Sequence, residues 1–262
     1  MFPLKDNIPT DRVPILTIAL ILANVIAYFF WQKGGLTFGD PSSAHYLTNL
    51  ADYGAVPFEL THPGHHCGFE VVGNVADASN FTCSGQVYPA DQPSPWITPF
   101  TAMFMHGGLL HLGGNMLFLW IFGNNIEDAL GRVRFIAFYV LGGLAALALQ
   151  TLVDPSAAVP TIGASGAIAA VLGGYAVLYP RARVLTLILI VFFFTVIEIP
   201  ALVMLGIWFL QQLIFGALDL SDPVGGGGVA YFAHIGGFAF GLLTIRLLVQ
   251  RVKTAPPRLP LT

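Results

Sequence analysis

Apolar residues fall in long runs along this chain, and polar residues collect between them. The first run, Val13 to Trp31, has 19 residues and no charge. That is enough to cross a hydrocarbon core of roughly 30 Å at about 1.5 Å per residue. No small-x-small site with a polar flank follows it, so it reads as an uncleaved anchor rather than an export signal. Further runs cover roughly His106–Asn124, Phe135–Val153, Ile162–Tyr179, Ala201–Leu218 and Val229–Val249. Val184 to Leu218 is ambiguous, because Glu198-Ile199-Pro200 breaks it. Its first part, Val184–Ile197, has 14 residues. That is short for a span and closer to an interfacial or re-entrant piece. From Lys33 to about Thr98 the chain is rich in Pro, Gly, Asn, Asp and Ser, which favour turns.

The pattern predicts an all-α polytopic membrane protein with six transmembrane helices and a long external first loop. Residues 1–12 form a polar N-terminus and 13–31 the first transmembrane helix. Residues 32–99 form the external loop, 100–250 a core of five further transmembrane helices, and 251–262 a tail. Charge settles the span count. With six spans and a cytoplasmic N-terminus, 10 of the 11 basic residues lie inside and only Lys33 lies outside. The positive-inside rule expects that distribution, and a seventh span would put the C-terminal basic residues outside. The expected setting is a prokaryotic plasma membrane, with both termini cytoplasmic and the site opening to the outer side.

Composition agrees with membrane burial. The chain is 55% hydrophobic and 10% charged, with a mean hydropathy of +0.74, where soluble domains carry about 25% charged residues. A net charge of −3 without a basic cluster points to no nucleic-acid partner. The partners it allows are the lipid bilayer and other membrane proteins, and the residues set no oligomeric state.

An ionisable or polar side chain inside a span is costly and usually functional. Six spans place Ser165 and His234 at one depth, each near the start of its helix. Ser165 alone reads as a packing residue and His234 alone as a helix-pairing hydrogen-bonder. Below Ser165 stand Ala169 and Gly173, and on the face of His234 stand Gly237 and Gly241. Such small-residue stripes let two helices approach closely, and a neutral imidazole then accepts the serine proton. His111 and Asn115 share a helix face at i,i+4 and offer donors for an oxyanion. No carboxylate stands ready as a third member, so a Ser–His dyad is expected. In the first loop His62, His65, His66 and Cys67 lie close together, but no second ligand pair has zinc-site spacing, so no metal or cofactor is expected. Cys67 and Cys83 both fall on the exported side, where oxidation is permitted, and a disulfide between them is predicted.

These residues resemble the rhomboid family of intramembrane serine proteases, of the bacterial type with a six-span core. His106-x4-His111-x3-Asn115, Gly163-Ala-Ser165-Gly166, Ala233-His234-x2-Gly237-x3-Gly241 and Glu127-x3-Gly131-x3-Phe135 are similar to its motifs in order and spacing. The resemblance covers roughly residues 96–250. It implies cleavage of transmembrane helices near the outer face, with Ser165 as nucleophile and His234 as base. His111, Asn115 and the Ser165 amide would form the oxyanion hole, with His106, Gly163, Gly166, Gly237 and Gly241 in support. It also implies a cap at Asp219–Gly228 and a lateral gate in Ala201–Leu218. Three features depart from the family. Ala169 stands where an aromatic often stacks on the histidine, Trp96 is followed by Ile97 rather than Arg, and residues 61–95 look inserted. A catalytically silent, client-binding relative is the alternative, and a small-molecule transporter a third reading.

Overall fold

The structure is a computed structural model, and it describes residues 2–38, 43–72, 75–83, 87–88, 91–190, 193–221 and 229–253. Strand β1 (Phe2–Asp6) precedes α1 (Ile15–Ile26), which runs on as a π turn over Ala27–Trp31. The first loop holds α2 (Ala44–Tyr53), α3 (Pro57–Thr61) and strands β2 (Gly68–Val72), β3 (Val75–Thr82) and β4 (Val87–Tyr88). A short helix α4 (Thr98–Thr101) leads to α5 (Leu109–Phe118), a π turn over Leu119–Gly123 and α6 (Asn124–Leu130). Then come α7 (Arg132–Val153), α8 (Ser165–Leu178), strands β5 (Arg183–Ile190) and β6 (Phe193–Pro200), α9 (Ala201–Ser221) and α10 (Tyr231–Leu248). Residues 222–228 of the expected cap, and Arg258, lie outside the described residues.

The chain is mostly helical but not all-α. Among the described residues it carries two three-stranded sheets, ordered β1-β5-β6 and β3-β2-β4. The stretch Val184–Ile197, expected as an interfacial or re-entrant piece, takes strand form up to Ile190 and again from Phe193, with 191–192 outside the described residues. Arg183 pairs with Pro200 and the antiparallel register runs to Ile190 opposite Phe193. Val, Ile, Thr and Phe dominate this run, and they fit a pleated surface better than a helix. The third strand comes from the N-terminus, with Phe2 opposite Leu187 and Asp6 opposite Val184.

Among the described residues, three helices are long and apolar enough to cross a membrane: Arg132–Val153, Ala201–Leu220 and Tyr231–Leu248. Ile15–Trp31 and Ser165–Leu178 are shorter apolar helices. Helix α8 has 14 residues, about 21 Å at roughly 1.5 Å per residue. Every residue from Gly166 to Ala176 is buried. Neighbouring protein therefore surrounds this helix, and backbone exposed at its ends meets protein rather than lipid.

Glu127 ties two of these elements together. Helix α1 starts after Pro14, which has no capping side chain. Glu127 supplies the cap from α6, accepting from Leu16 N at 3.0 Å, Thr17 N at 2.8 Å and Thr17 Oγ1 at 2.8 Å. A carboxylate is favourable there because the first N–H groups lack intrahelical partners and the helix dipole is positive at that end. At the same end of the core, Arg134 Nη1 donates to Leu248 O at 2.9 Å, and Gln250 N to Ala129 O at 2.9 Å. In the first loop, the bond between Cys67 and Cys83 closes the open end of the β2–β3 hairpin, beside the pair Gly68–Thr82.

Helices α8 and α10 meet backbone to backbone. A Cβ at Gly237 would collide with the carbonyl oxygen of Gly166, one at Gly241 with that of Ala170, and one at Gly173 with that of Phe238. Around this seam pack Tyr175, Phe138, Phe122 and Leu172, all buried. Backbone cannot yield as a flexible side chain can, so Gly241→Ala is expected to destabilise by about 3 kcal/mol. Gly206→Ala on α9, where a Cβ would meet nothing within 4 Å, is expected to be neutral or stabilising by up to about 1 kcal/mol. Thermal unfolding of both variants in detergent checks the contrast.

Asp6 is buried at the start of the core. Its Oδ2 accepts from Tyr175 Oη and from Asn125 Nδ2, each at 2.6 Å. Burial pushes its carboxyl up to about 6, against the lowering effect of those two donors. The folded state therefore holds this proton more tightly than the unfolded chain. The stabilisation is complete below about pH 4 and is lost as pH rises through about 6. The loss is on the order of 3 kcal/mol. Asp6→Asn is expected to remove this pH-dependent fall, which parallel unfolding curves at pH 4.5 and 7.5 measure as a difference from the parent.

Candidate active site

Ser165 opens α8 after a loop that is pinned on both sides. Ala55 and Thr161 form an isolated antiparallel bridge, with N···O distances of 3.2 and 2.8 Å. Phe58 N donates to Ala157 O at 3.1 Å, and Gly163 N donates to Ala102 O at 2.8 Å. The first-loop helices thus help to fix the serine's approach. Gly163 sits at φ +116°, in a region that side chains strain to adopt. A Cβ there would also lie 2.8 Å from His111 Nε2 and 3.5 Å from Ser165 Oγ. Glycine at 163 is therefore required twice, for the turn and for the close approach of the His111 ring.

The α8–α10 seam brings the expected pair together. His234 Nε2 lies 2.8 Å from Ser165 Oγ. The other ring nitrogen, Nδ1, lies 2.8 Å from Gln212 Oε1 on α9. One turn earlier on α9, the Trp208 ring stands 5.8 Å from the imidazole at an angle of 40°. Ala169 leaves the α8 side of the histidine without an aromatic, and Trp208 provides one from α9 instead.

His111 and Asn115 project from α5. His111 Nδ1 accepts from the backbone N–H of Gly107 at 3.1 Å. A ring nitrogen that accepts carries no proton, so in neutral His111 the proton is on Nε2, the atom facing Gly163. Asn115 is 8% exposed, and its Nδ2 is a buried donor without a hydrogen-bond partner among the described residues. Such a group costs stability unless something fills it. His106 packs edge-on against the His111 ring at 5.1 Å. Its backbone is held both ways by buried Gln32, with Nε2 donating to His106 O and His106 N donating to Oε1, each at 2.9 Å. Beside Ser165 is a cavity of about 30 Å³ lined by small groups that include Ala102, Gly143, Ala146, Gly166 and Ala233.

Gly166, Gly237 and Gly241 stand on the seam rather than at the reacting atoms. The contacting stripe of α8 takes in the expected Ala169 and Gly173, with the Ala169 methyl 3.2 Å from a Cβ placed at Gly237, and also Gly166 and Ala170. Cys67 and Cys83 belong to the first-loop sheet, as described. In the same loop His62 stacks on Phe58 at 4.1 Å, and His66 lies 4.0 Å from Glu59. Burial pushes the Glu59 carboxyl up, although its Oε1 accepts from Cys67 N. Gln32, Trp208 and Gln212 are absent from the sequence-derived site. The available signal is two adjacent glutamines, Gln211 and Gln212, in the middle of an apolar run.

A family model described as the Rhomboid domain matches residues 93–251. The chain is 34% identical over 146 residues to "Rhomboid protein 1, mitochondrial" of Saccharomyces cerevisiae, covering 53% of this chain and 38% of that protein. It is 31% identical over 142 residues to "Presenilin-associated rhomboid-like protein, mitochondrial" of Mus musculus, covering 53% and 34%. With "RHOMBOID-like protein 5" of Arabidopsis thaliana the identity is 37% over 73 residues, covering 28% and 24%. The chain therefore spans little more than a third of the length of the first two curated relatives. The mitochondrial relatives overturn the expected prokaryotic plasma membrane. The charge count behind that expectation compares the two sides of a bilayer and is blind to which bilayer it is. A family match over residues 93–251, more than half of the 262 in the chain, shows that it belongs to the rhomboid family.

Proposed function

We propose that the chain is an intramembrane serine endopeptidase that cleaves transmembrane-helix substrates near the membrane face at which Ser165 lies. The observation that carries this reading is the 2.8 Å contact between Ser165 Oγ and His234 Nε2. Ser165 Oγ attacks the carbonyl carbon of the scissile peptide as its proton passes to His234 Nε2. The oxyanion that forms accepts from His111 Nε2, Asn115 Nδ2 and the Ser165 backbone N–H, which at a helix start has no intrahelical acceptor. The imidazolium then gives its proton to the leaving amine, and the C–N bond breaks. Water hydrolyses the acyl-serine by the reverse use of the same base.

The buried, unfilled Asn115 amide supports the oxyanion assignment, because a donor without a partner at rest suits a charge that appears only during reaction. The cavity of about 30 Å³ beside Ser165 favours a small side chain next to the cut bond. In this reading Ile15–Trp31, the α5–α6 rod, α7, α8, α9 and α10 make six spans, and the first loop is extramembranous. The mitochondrial names of the yeast and mouse relatives support a mitochondrial membrane. The partners are transmembrane protein substrates and the surrounding lipid.

Reconstituted with a helical transmembrane substrate, Ser165→Ala is expected to lose all cleavage and all labelling by a fluorophosphonate. Cleavage by Ser165→Ala at the parent's rate defeats the protease reading and favours a silent client-binding protein. Asn115→Ala is expected to lower kcat by about 100-fold while leaving the unfolding temperature unchanged or higher, since it removes the unfilled donor.

A further inference from the structure

Helix α9 presents Trp208, Phe209, Gln212 and Phe215 toward α10. Phe209 stacks on Phe238 at 4.5 Å, and Phe215 meets Tyr231 at 5.8 Å. Leu202, Val203, Ile207, Leu210 and Ile214 on its other faces are exposed. Gln212 is 5% exposed, which is unusual for an amide in an apolar seam and demands that both its ends be satisfied. Both are. Nε2 donates to the carbonyl of Trp208, one turn back, at 3.3 Å, and Oε1 faces His234 Nδ1 at 2.8 Å.

This pair of contacts settles a proton. A carboxamide has one donating end and one accepting end. The carbonyl of Trp208 can only accept, so the NH2 end must face it, and the oxygen must face His234. That oxygen can only accept in turn, so His234 Nδ1 carries the imidazole proton. The lone pair of the neutral ring is then on Nε2, 2.8 Å from the Ser165 hydroxyl. The opposite tautomer would set two lone pairs against each other at Gln212 and leave no base toward the serine.

From this geometry we infer that Gln212 is the positioning residue of His234. Its α9 amide fixes the tautomer and ring orientation that a carboxylate fixes in a three-membered serine site. The inference rests on the protease reading for its kinetic consequence, but the tautomer itself does not. Gln212 touches neither the substrate nor the reacting atoms, and acts through the ring. Because Gln is neutral, it orients the imidazole without the full charge that would stabilise an imidazolium.

The experiment compares the full-length parent, Gln212→Leu, Gln212→Glu and Ser165→Ala in liposomes. Cleavage and fluorophosphonate labelling are measured against pH, and the His234 tautomer is read by ¹⁵N NMR of histidine-labelled protein. The parent is expected to show one tautomer, protonated at Nδ1, and Gln212→Leu a mixture. Gln212→Leu is expected to lower kcat and the labelling rate together by about 100-fold, as a misplaced catalytic group does, with KM changed less than about twofold. Gln212→Glu keeps an oxygen toward Nδ1 and adds charge. It is expected to restore most of the rate and to move the acidic limb of the pH profile to higher pH, since a neighbouring carboxylate raises the imidazole pKa. Retention of the parent's tautomer and rates in Gln212→Leu would overturn the inference. So would equal losses in Gln212→Leu and Gln212→Glu without a shift in the pH profile, which mark a merely structural amide. If the parent neither cleaves nor labels, yet its tautomer changes with Gln212, the protease reading fails and the positioning role stands.

Discussion

The contact on which everything else depends is the direct meeting of two helix backbones. Gly237 and Gly241 of α10 lie on the carbonyls of Gly166 and Ala170, and Gly173 of α8 lies on that of Phe238. With no side chains between them, the spacing of the two helices is set by hard backbone atoms rather than by rotamers. That spacing puts a serine and a histidine 69 residues apart in the sequence within 2.8 Å of each other. Larger residues along the seam would separate the helices by ångströms, and a hydrogen bond does not survive such a distance.

Much of this geometry is legible in the sequence, because it is local and periodic. The apolar runs locate the core helices to within a few residues, and the small residues at i+3 and i+7 of His234 mark its contacting face. The parts that are not legible depend on pairing over long distances. Nothing in Val184–Ile197 says that its partner strand is Phe2–Asp6. An apolar run of that length fits an interfacial segment as well as a sheet until its neighbours are known. Gln32 is likewise invisible as a clamp, since its contact with His106 links residues 74 apart in sequence. Gln212 is the instructive case. Two adjacent glutamines in an apolar run mark the place but not the partner, and the amide gains meaning only when α9 is seen to set Trp208 and Gln212 against His234.

The first-loop part of the chain is structural to the site. Ala55 bridges Thr161, Phe58 holds Ala157, and Tyr46 and Gln32 reach the His106 carbonyl. The bond between Cys67 and Cys83 and the Glu59 contact to Cys67 N tie the first-loop sheet to α3. The loop before Ser165 is therefore bracketed by protein from outside the helical core, as well as by Ala102 within it. This suits a residue whose backbone must hold a positive φ at Gly163 while a neighbouring ring touches it.

On the proposed protease reading, the unfilled amide of Asn115 sets folding and function against each other. A buried donor without a partner makes the resting molecule less stable than its packing alone allows. Selection for stability alone would replace that amide with a methyl-bearing side chain of similar volume, and the core would accept it. In the protease reading proposed above, the amide serves a short-lived state that no resting structure contains. A chain of this fold freed from that work would be expected to drift toward apolar residues at this position first, ahead of any change at the serine.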